Sequence, residues 1–192
     1  ANATYTAGAS ESGSITLTLT TTGSSCTAVT ATKNITVNAN PTASASTSTG
    51  TVCEDATISL TGGASGGSGG GYSYSWSGPS SYSSSDQSPT ISSDATTAMA
   101  GSYLLTVTDG NTCSSASSST SITVNQNPTA NAGDVMSAIC QGATSAVMNG
   151  ITAGGATGGT WSGGAGSWTN ATDKANATYT AGASESGSIT LT

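Results

Sequence analysis

The sequence contains no histidine, no arginine and no phenylalanine, and its only basic side chains are Lys33 and Lys174. Without histidine, and with so little lysine, most general-base, nucleophile–base and zinc-ligand arrangements lack their usual residues. Two cations leave no footprint for a phosphate backbone, which excludes nucleic acid as a partner. No apolar run approaches the roughly 18 residues of a membrane-spanning helix, so no membrane insertion is expected in this segment. No basic stretch followed by an apolar one marks a signal peptide. Acidic residues number nine, charged residues make up 6% of the chain, and the net charge is −7. Leu, Ile and Val together supply 21 of 192 residues. So low a fraction normally accompanies disorder, but the dense charge of disordered chains is missing as well.

Small residues fill the space that is left. Ser and Thr number 36 each, Ala 28 and Gly 26, together 126 of 192. This content opposes helix throughout, and no window shows apolar residues at helical spacing. Period-two alternation is clear instead, as in Ser14-Ile15-Thr16-Leu17-Thr18-Leu19-Thr20, Thr57-Ile58-Ser59-Leu60, Tyr72-Ser73-Tyr74-Ser75-Trp76 and Ser121-Ile122-Thr123-Val124. Tyr103–Thr108 reads as a further strand, closed by the turn residues Asp109-Gly110-Asn111. Glycine-rich breaks at 62–71 and 153–159 separate these runs. Short strands with frequent turn signals describe antiparallel sandwiches.

A repeat organises them. Residues 175–192 and residues 1–18 both read ANATYTAGASESGSITLT, eighteen identities at an offset of 174. Such self-similarity marks a tandem architecture, and the chain is expected to hold one full period plus the opening of the next. A weaker period of half that length lies inside. ITVNANPTA at 35–43 answers ITVNQNPTA at 122–130, an offset of 87, and Cys53 and Cys140 are also 87 apart. Gly101–Cys113 answers Gly13–Cys26 with one residue added, and Trp76-Ser77-Gly78 answers Trp161-Ser162-Gly163. Two diverged modules of about 87 residues therefore alternate. On this reading residues 1–39 are the last strands of a module begun earlier, 40–126 form a complete module, and 127–192 open the next.

A sandwich of this composition has a thin core, and thin cores need staples. Cys53 and Cys113 stand near the two ends of the complete module's sequence. A disulfide closing so long a loop contributes about 4 kcal/mol in the chain-entropy model and implies an oxidising, extracellular setting. We therefore expect Cys53–Cys113 within the chain. The same interval separates Cys140 from the next copy of Cys26, so Cys26 and Cys140 are expected to pair between adjacent repeats or subunits.

Asn40-Pro41, Val52-Cys53, Tyr74-Ser75-Trp76-Ser77-Gly78-Pro79, Ala100-Gly101-Ser102-Tyr103 and Leu105-Thr106-Val107-Thr108-Asp109 together resemble the immunoglobulin-like and PKD-like repeats of giant secreted surface proteins of Bacteroidota. Asn131-Ala132-Gly133-Asp134 with Ile139-Cys140-Gln141-Gly142 is similar to the opening of a PKD-type repeat. The resemblance implies tandem immunoglobulin-like β-sandwiches, export to the cell surface, and work as spacers, stalks, adhesins or gliding-motility fibres.

Within that frame Trp76 and Trp161 are expected to fill sandwich cores, and Tyr103 to form a tyrosine corner, its hydroxyl bonding back to nearby backbone. Trp168 and Tyr82 are the candidates for stacking on sugar. Glu54 and Asp55 are the only adjacent acidic pair, but neighbours on a strand point to opposite faces, which excludes them as a glycosidase pair. Either Asp134, or Glu54 with Asp55, is the candidate for a calcium site at a module junction, together with backbone oxygens.

The sequence thus predicts an all-β, non-enzymatic extracellular filament or stalk without a cofactor, whose partners are copies of itself head-to-tail. Surface polysaccharide bound through exposed aromatics is the alternative. The modules are joined either covalently in one long chain or by strand exchange between subunits. The eighteen-residue duplication favours the covalent form, because a donated strand would duplicate one that its acceptor already holds.

Overall fold

The computed structural model describes residues 3–23 and 26–192, which fall into two compact units, Ala1–Val124 and Asn125–Thr192. Antiparallel strands supply nearly all the regular structure. The two 3₁₀ turns, Pro79–Ser81 and Thr97–Met99, are the sole helical segments among the described residues.

The first unit opens with a hairpin of β1 (Gly13–Thr20) and β2 (Thr30–Val37), paired from Gly13↔Val37 to Thr20↔Thr30. Eight strands follow: β3 (Pro41–Thr47), β4 (Thr51–Cys53), β5 (Ile58–Gly66), β6 (Tyr72–Gly78), β7 (Tyr82–Ser84), β8 (Thr90–Ser92), β9 (Gly101–Asp109) and β10 (Ser118–Asn125). They form two sheets, ordered β3-β5-β8 and β4-β10-β9-β6-β7. Alternation explains the core between them. Tyr103, Leu105 and Val107 of β9, Ile122 and Val124 of β10, and Ile58 and Leu60 of β5 are buried, while Leu104 faces out.

Trp76 sits at the centre, and a glycine makes room for it. A β-carbon at Gly62 would lie 2.6 Å from the Gln87 carbonyl oxygen and 3.2 Å from the Trp76 ring. The indole donates to that same carbonyl at 3.3 Å, and the Gln87 amide returns a bond to the Gly62 carbonyl at 2.9 Å. Gly78 plays the matching part for Tyr103, since any β-carbon there would enter the phenol ring. The Tyr103 hydroxyl donates to the Met99 carbonyl, four residues upstream, at 2.8 Å. Tyr103→Phe removes that one bond and keeps the ring. It is expected to cost about 1 kcal/mol in urea unfolding, and no change would mean the bond is idle.

The ends of this sandwich are chemically distinct. Burial pushes the carboxyl of Asp109 up, but bonds from the backbone N–H groups of Cys113, Ser68, Gly69 and Asn111 outweigh it and hold its pKa below the ordinary value. This end also carries Pro41, paired with Gly66. At the other end Asp55 and Ala56 bond with Ala95, Ile122 pairs with Gly101, and Thr123 donates to the Gly50 carbonyl.

The expected Cys53–Cys113 disulfide does not fit this arrangement. Cys53 ends β4 and leads into the turn whose Asp55 and Ala56 bond with Ala95, beside the Gly101 end of β9, whereas Cys113 donates its N–H to Asp109 at the opposite end. The eight residue steps of β9 between those ends span about 27 Å, against the ~4–7 Å between α-carbons that a disulfide allows. Both thiols are free. The regular cysteine interval reflects two ends of one sandwich rather than a staple through it.

The second unit has four short strands: β11 (Thr129–Asn131) with β12 (Ile151–Ala153), and β13 (Ser167–Thr169) with β14 (Thr178–Thr180). Its core consists of Met148, Ala177, Tyr179 and Ala181, flanked by Met136, Trp161, Trp168 and Leu191.

Candidate assembly interface

Two features differ from their sequence counterparts elsewhere in the chain. The first is the β1–β2 hairpin. Its strands correspond by sequence to β9 and β10, so Leu17 answers Leu105, Leu19 answers Val107 and Ile35 answers Ile122. Those three counterparts are buried. On the hairpin, Leu19 is 72% exposed and Ile35 42% exposed, with Ile15, Leu17 and Val37 half-buried on the same face. The opposite face is polar, and Thr16 there donates to the Asn34 side chain at 2.8 Å.

The second feature is the edge of the second unit formed by residues 160–163. In the complete module the corresponding strand, β6, pairs with β9 over six residues. Here Gly163 meets Leu191 in a bridge, Ser162 and Thr192 exchange backbone bonds, and the Trp161 N–H donates to the Ala171 carbonyl. Beside it lies an open cleft of about 400 Å³, lined by Ile151, Thr152, Trp161, Lys174 and Leu191 among others.

The duplicated segment shows how one sequence behaves in both settings. In Tyr-Thr-Ala-Gly-Ala-Ser-Glu the tyrosine hydroxyl donates to the glutamate six residues on, which also accepts the intervening glycine N–H. Tyr5, Gly8 and Glu11 make these bonds at 2.5 and 2.7 Å, as do Tyr179, Gly182 and Glu185 at 2.6 Å each. The first loop is bare, with Tyr5 40% exposed, while Tyr179 is 2% exposed. Around Tyr179 the second unit adds the Gly166 N–H on its hydroxyl at 2.6 Å, the Ala165 N–H on Glu185, and the Trp168 ring at 5.1 Å. A β-carbon at Gly164 or Gly166 would collide with the Tyr179 hydroxyl. This tyrosine–glutamate latch escaped the sequence reading, although its spacing of six is visible in both copies.

Electrostatics follow from the same contacts. The Tyr179 hydroxyl, then the Ala165 and Gly182 N–H groups, hold Glu185 below its ordinary carboxylate value of 4.5. Burial and then Glu185 push the Tyr179 phenol up. Asp173 is lowered chiefly by the Asn176 side chain. A depressed folded-state pKa contributes stability above the unfolded value and loses it as pH falls through the folded value. The second unit is therefore expected to keep its stability down to about pH 4.5 and lose it progressively below, in acid titrations followed by near-ultraviolet circular dichroism. Flat stability far into acid would contradict the latch.

The remaining residues singled out from the sequence are placed as follows. Trp76 and Tyr103 are fully buried and Trp161 is half-buried, its indole N–H on the Lys174 carbonyl at 2.9 Å. Trp168, a sugar-stacking candidate, lies against Trp161 with centroids 6.1 Å apart, and Tyr82, the other, packs edge-on to Tyr103 at 5.6 Å. Cys26 and Cys140 are exposed and free. Among the described residues no three His, Cys, Asp or Glu side chains come together in a way that could hold a metal ion.

The first strand of the sandwich is split between sheets, β3 on one and β4 on the other, and a tyrosine corner leads into β9, in two antiparallel sheets of three and five strands. The fold is immunoglobulin-like. No family model and no curated protein matches the chain. Among solved structures it is similar to the amphioxus IgVJ-C2 molecule, at 18% identity over 58% of this chain and 60% of that one, with a TM-score of 0.39. It is also similar to the three N-terminal domains of the bacteriophage RB49 highly immunogenic outer capsid protein, at 15% identity over 72% of this chain and 51% of that one, with a TM-score of 0.40. The chain thus spans less than two thirds of the length of either neighbour.

Proposed function

We propose that the chain is a structural, non-enzymatic part of an extracellular filament or stalk, built from immunoglobulin-like modules in a 174-residue period. The observation that carries this reading is the eighteen-residue identity at that offset. Repeated head-to-tail contacts with one fixed operator give an open fibre rather than a closed ring. The composition suits a surface setting, since two lysines offer trypsin-like proteases few points of attack. The test is sedimentation of native material at neutral pH. Assemblies many times the 18.3 kDa chain mass are expected, and a sole species of single-chain mass contradicts the reading.

The alternative, a polysaccharide-binding adhesin module, needs aromatic rings free on one face. Tyr5 and Tyr72 are the exposed aromatics among the described residues, while the three Trp rings lie in or beside the cores. Retention of the chain on a glycan column, lost on changing Tyr72 to Ala, would favour that alternative.

A further inference from the structure

Resting on the filament reading, we propose that Ser68, set in place by the Asp109 carboxylate, clamps the connection at 38–40. The clamp fixes the angle at which the sandwich follows the β1–β2 hairpin.

Asn38, Ala39 and Asn40 alone join Val37, the end of β2, to Pro41, the start of β3. Relative motion is the default across such a connection unless contacts from outside hold its backbone. Ser68 supplies them from the glycine-rich loop between β5 and β6. The Ala39 N–H donates to the Ser68 hydroxyl oxygen at 2.6 Å, and that hydroxyl donates to the Ala39 carbonyl at 3.4 Å. One side chain therefore grips both backbone groups of the middle residue.

A loop of glycines is by itself a poor anchor, because its backbone is the freest of any. Asp109 removes that freedom, and its two oxygens divide the task. Oδ1 accepts the Asn111 and Cys113 N–H groups at 2.9 and 3.0 Å, which closes the turn after β9. Oδ2 accepts the Ser68 and Gly69 N–H groups at 3.1 and 3.2 Å. A buried carboxylate at the end of a core strand thus ties the loop down. The glycines permit the approach. A β-carbon at Gly67 would lie 2.8 Å from Oδ2 and 3.4 Å from the Pro41 side chain, and one at Gly110 would run into the Gly70 carbonyl. Support passes from β9 through Asp109 and Ser68 to Ala39. In the correspondence of β1 with β9, Thr21 stands where Asp109 does, so this carboxylate marks one of the two module types.

The test uses the full chain. Ser68 is exposed, so Ser68→Ala removes the grip and spares the core, while Ser68→Thr keeps the hydroxyl. Asp109→Asn can accept through one oxygen only. The shorter bonds keep that oxygen on Asn111 and Cys113, which turns the NH₂ group toward Ser68 and Gly69. Amide hydrogen exchange followed by nuclear magnetic resonance is expected to run at least about tenfold faster at Ala39 in Ser68→Ala and in Asp109→Asn. Ser68→Thr should exchange like the parent, and the amides between β6 and β9 should keep their protection in both Ser68 variants. Spin labels at Thr32→Cys and Ser75→Cys, both exposed, in a chain whose own cysteines are changed to Ser, give a second readout. A narrow distance distribution that broadens on adding Ser68→Ala is expected. Unchanged Ala39 exchange in Ser68→Ala, or an unchanged distribution, overturns the clamp and leaves the filament reading standing. Faster exchange in Ser68→Ala but not in Asp109→Asn overturns the part given to Asp109. Native material that sediments as single chains overturns the filament reading instead, whatever the exchange shows.

Discussion

Trp76→Ala is expected to destabilise the first sandwich by about 3–5 kcal/mol, the range for emptying a large buried aromatic site. The size of the effect follows from how little else is there. The core has one indole, one phenol and a handful of Ile, Leu and Val side chains, with alanine and glycine between them. Small domains are stable by about 5–15 kcal/mol, so the loss removes a large share of the total. Relaxation into the cavity is limited, because Gly62 and the Gln87 carbonyl press the ring from one side and hold the two sheets at a fixed separation. Urea unfolding followed by far-ultraviolet circular dichroism measures the cost, and a loss under about 1 kcal/mol would contradict the packing described.

The second large effect is a contrast between two identical segments. Tyr179→Ala is expected to cost the second unit about 3 kcal/mol, because it empties the centre of a small core and leaves Glu185 and the Gly166 N–H without their shared partner. In the unassociated chain, Tyr5→Ala should change stability by less than about 0.5 kcal/mol, as exposed substitutions do. Both tyrosines sit in the same sequence and make the same local bonds, so the difference isolates the surrounding sandwich. Equal effects would mean that the latch, not the packing over it, supplies the stability.

The thiols make a separate prediction. Because Cys53 and Cys113 lie at opposite ends of one sandwich, reductant should leave the unfolding midpoint of an isolated chain unchanged. Peptide mapping of oxidised native material should find no Cys53–Cys113 pair. A Cys53–Cys113 peptide in good yield would contradict the placement of β4 at the Gly101 end of β9.

Strand alternation made the all-β class readable from Ser14–Thr20 and Tyr103–Thr108, because period two is a local property that needs no knowledge of contacts. The antiparallel sandwich followed from the same runs and the turns between them. The cysteine pairing was not legible, since a separation along the chain carries no information about which end of a sheet each residue reaches. That depended on β3 crossing to the second sheet as β4, a kink at 48–50 that no residue pattern announces. The latch was hidden for a different reason. Tyr5 and Glu11 look like unrelated surface residues until a turn through Gly8 brings the carboxylate back to the hydroxyl.

Electron micrographs of native material test the tandem-sandwich reading most directly, through the axial repeat of any fibre they show. Two sandwiches per 174-residue period, each with strands of up to nine residues along its length, predict a repeat of roughly 60–80 Å. Isolated globular particles, or fibres whose repeat holds a single sandwich, would contradict it.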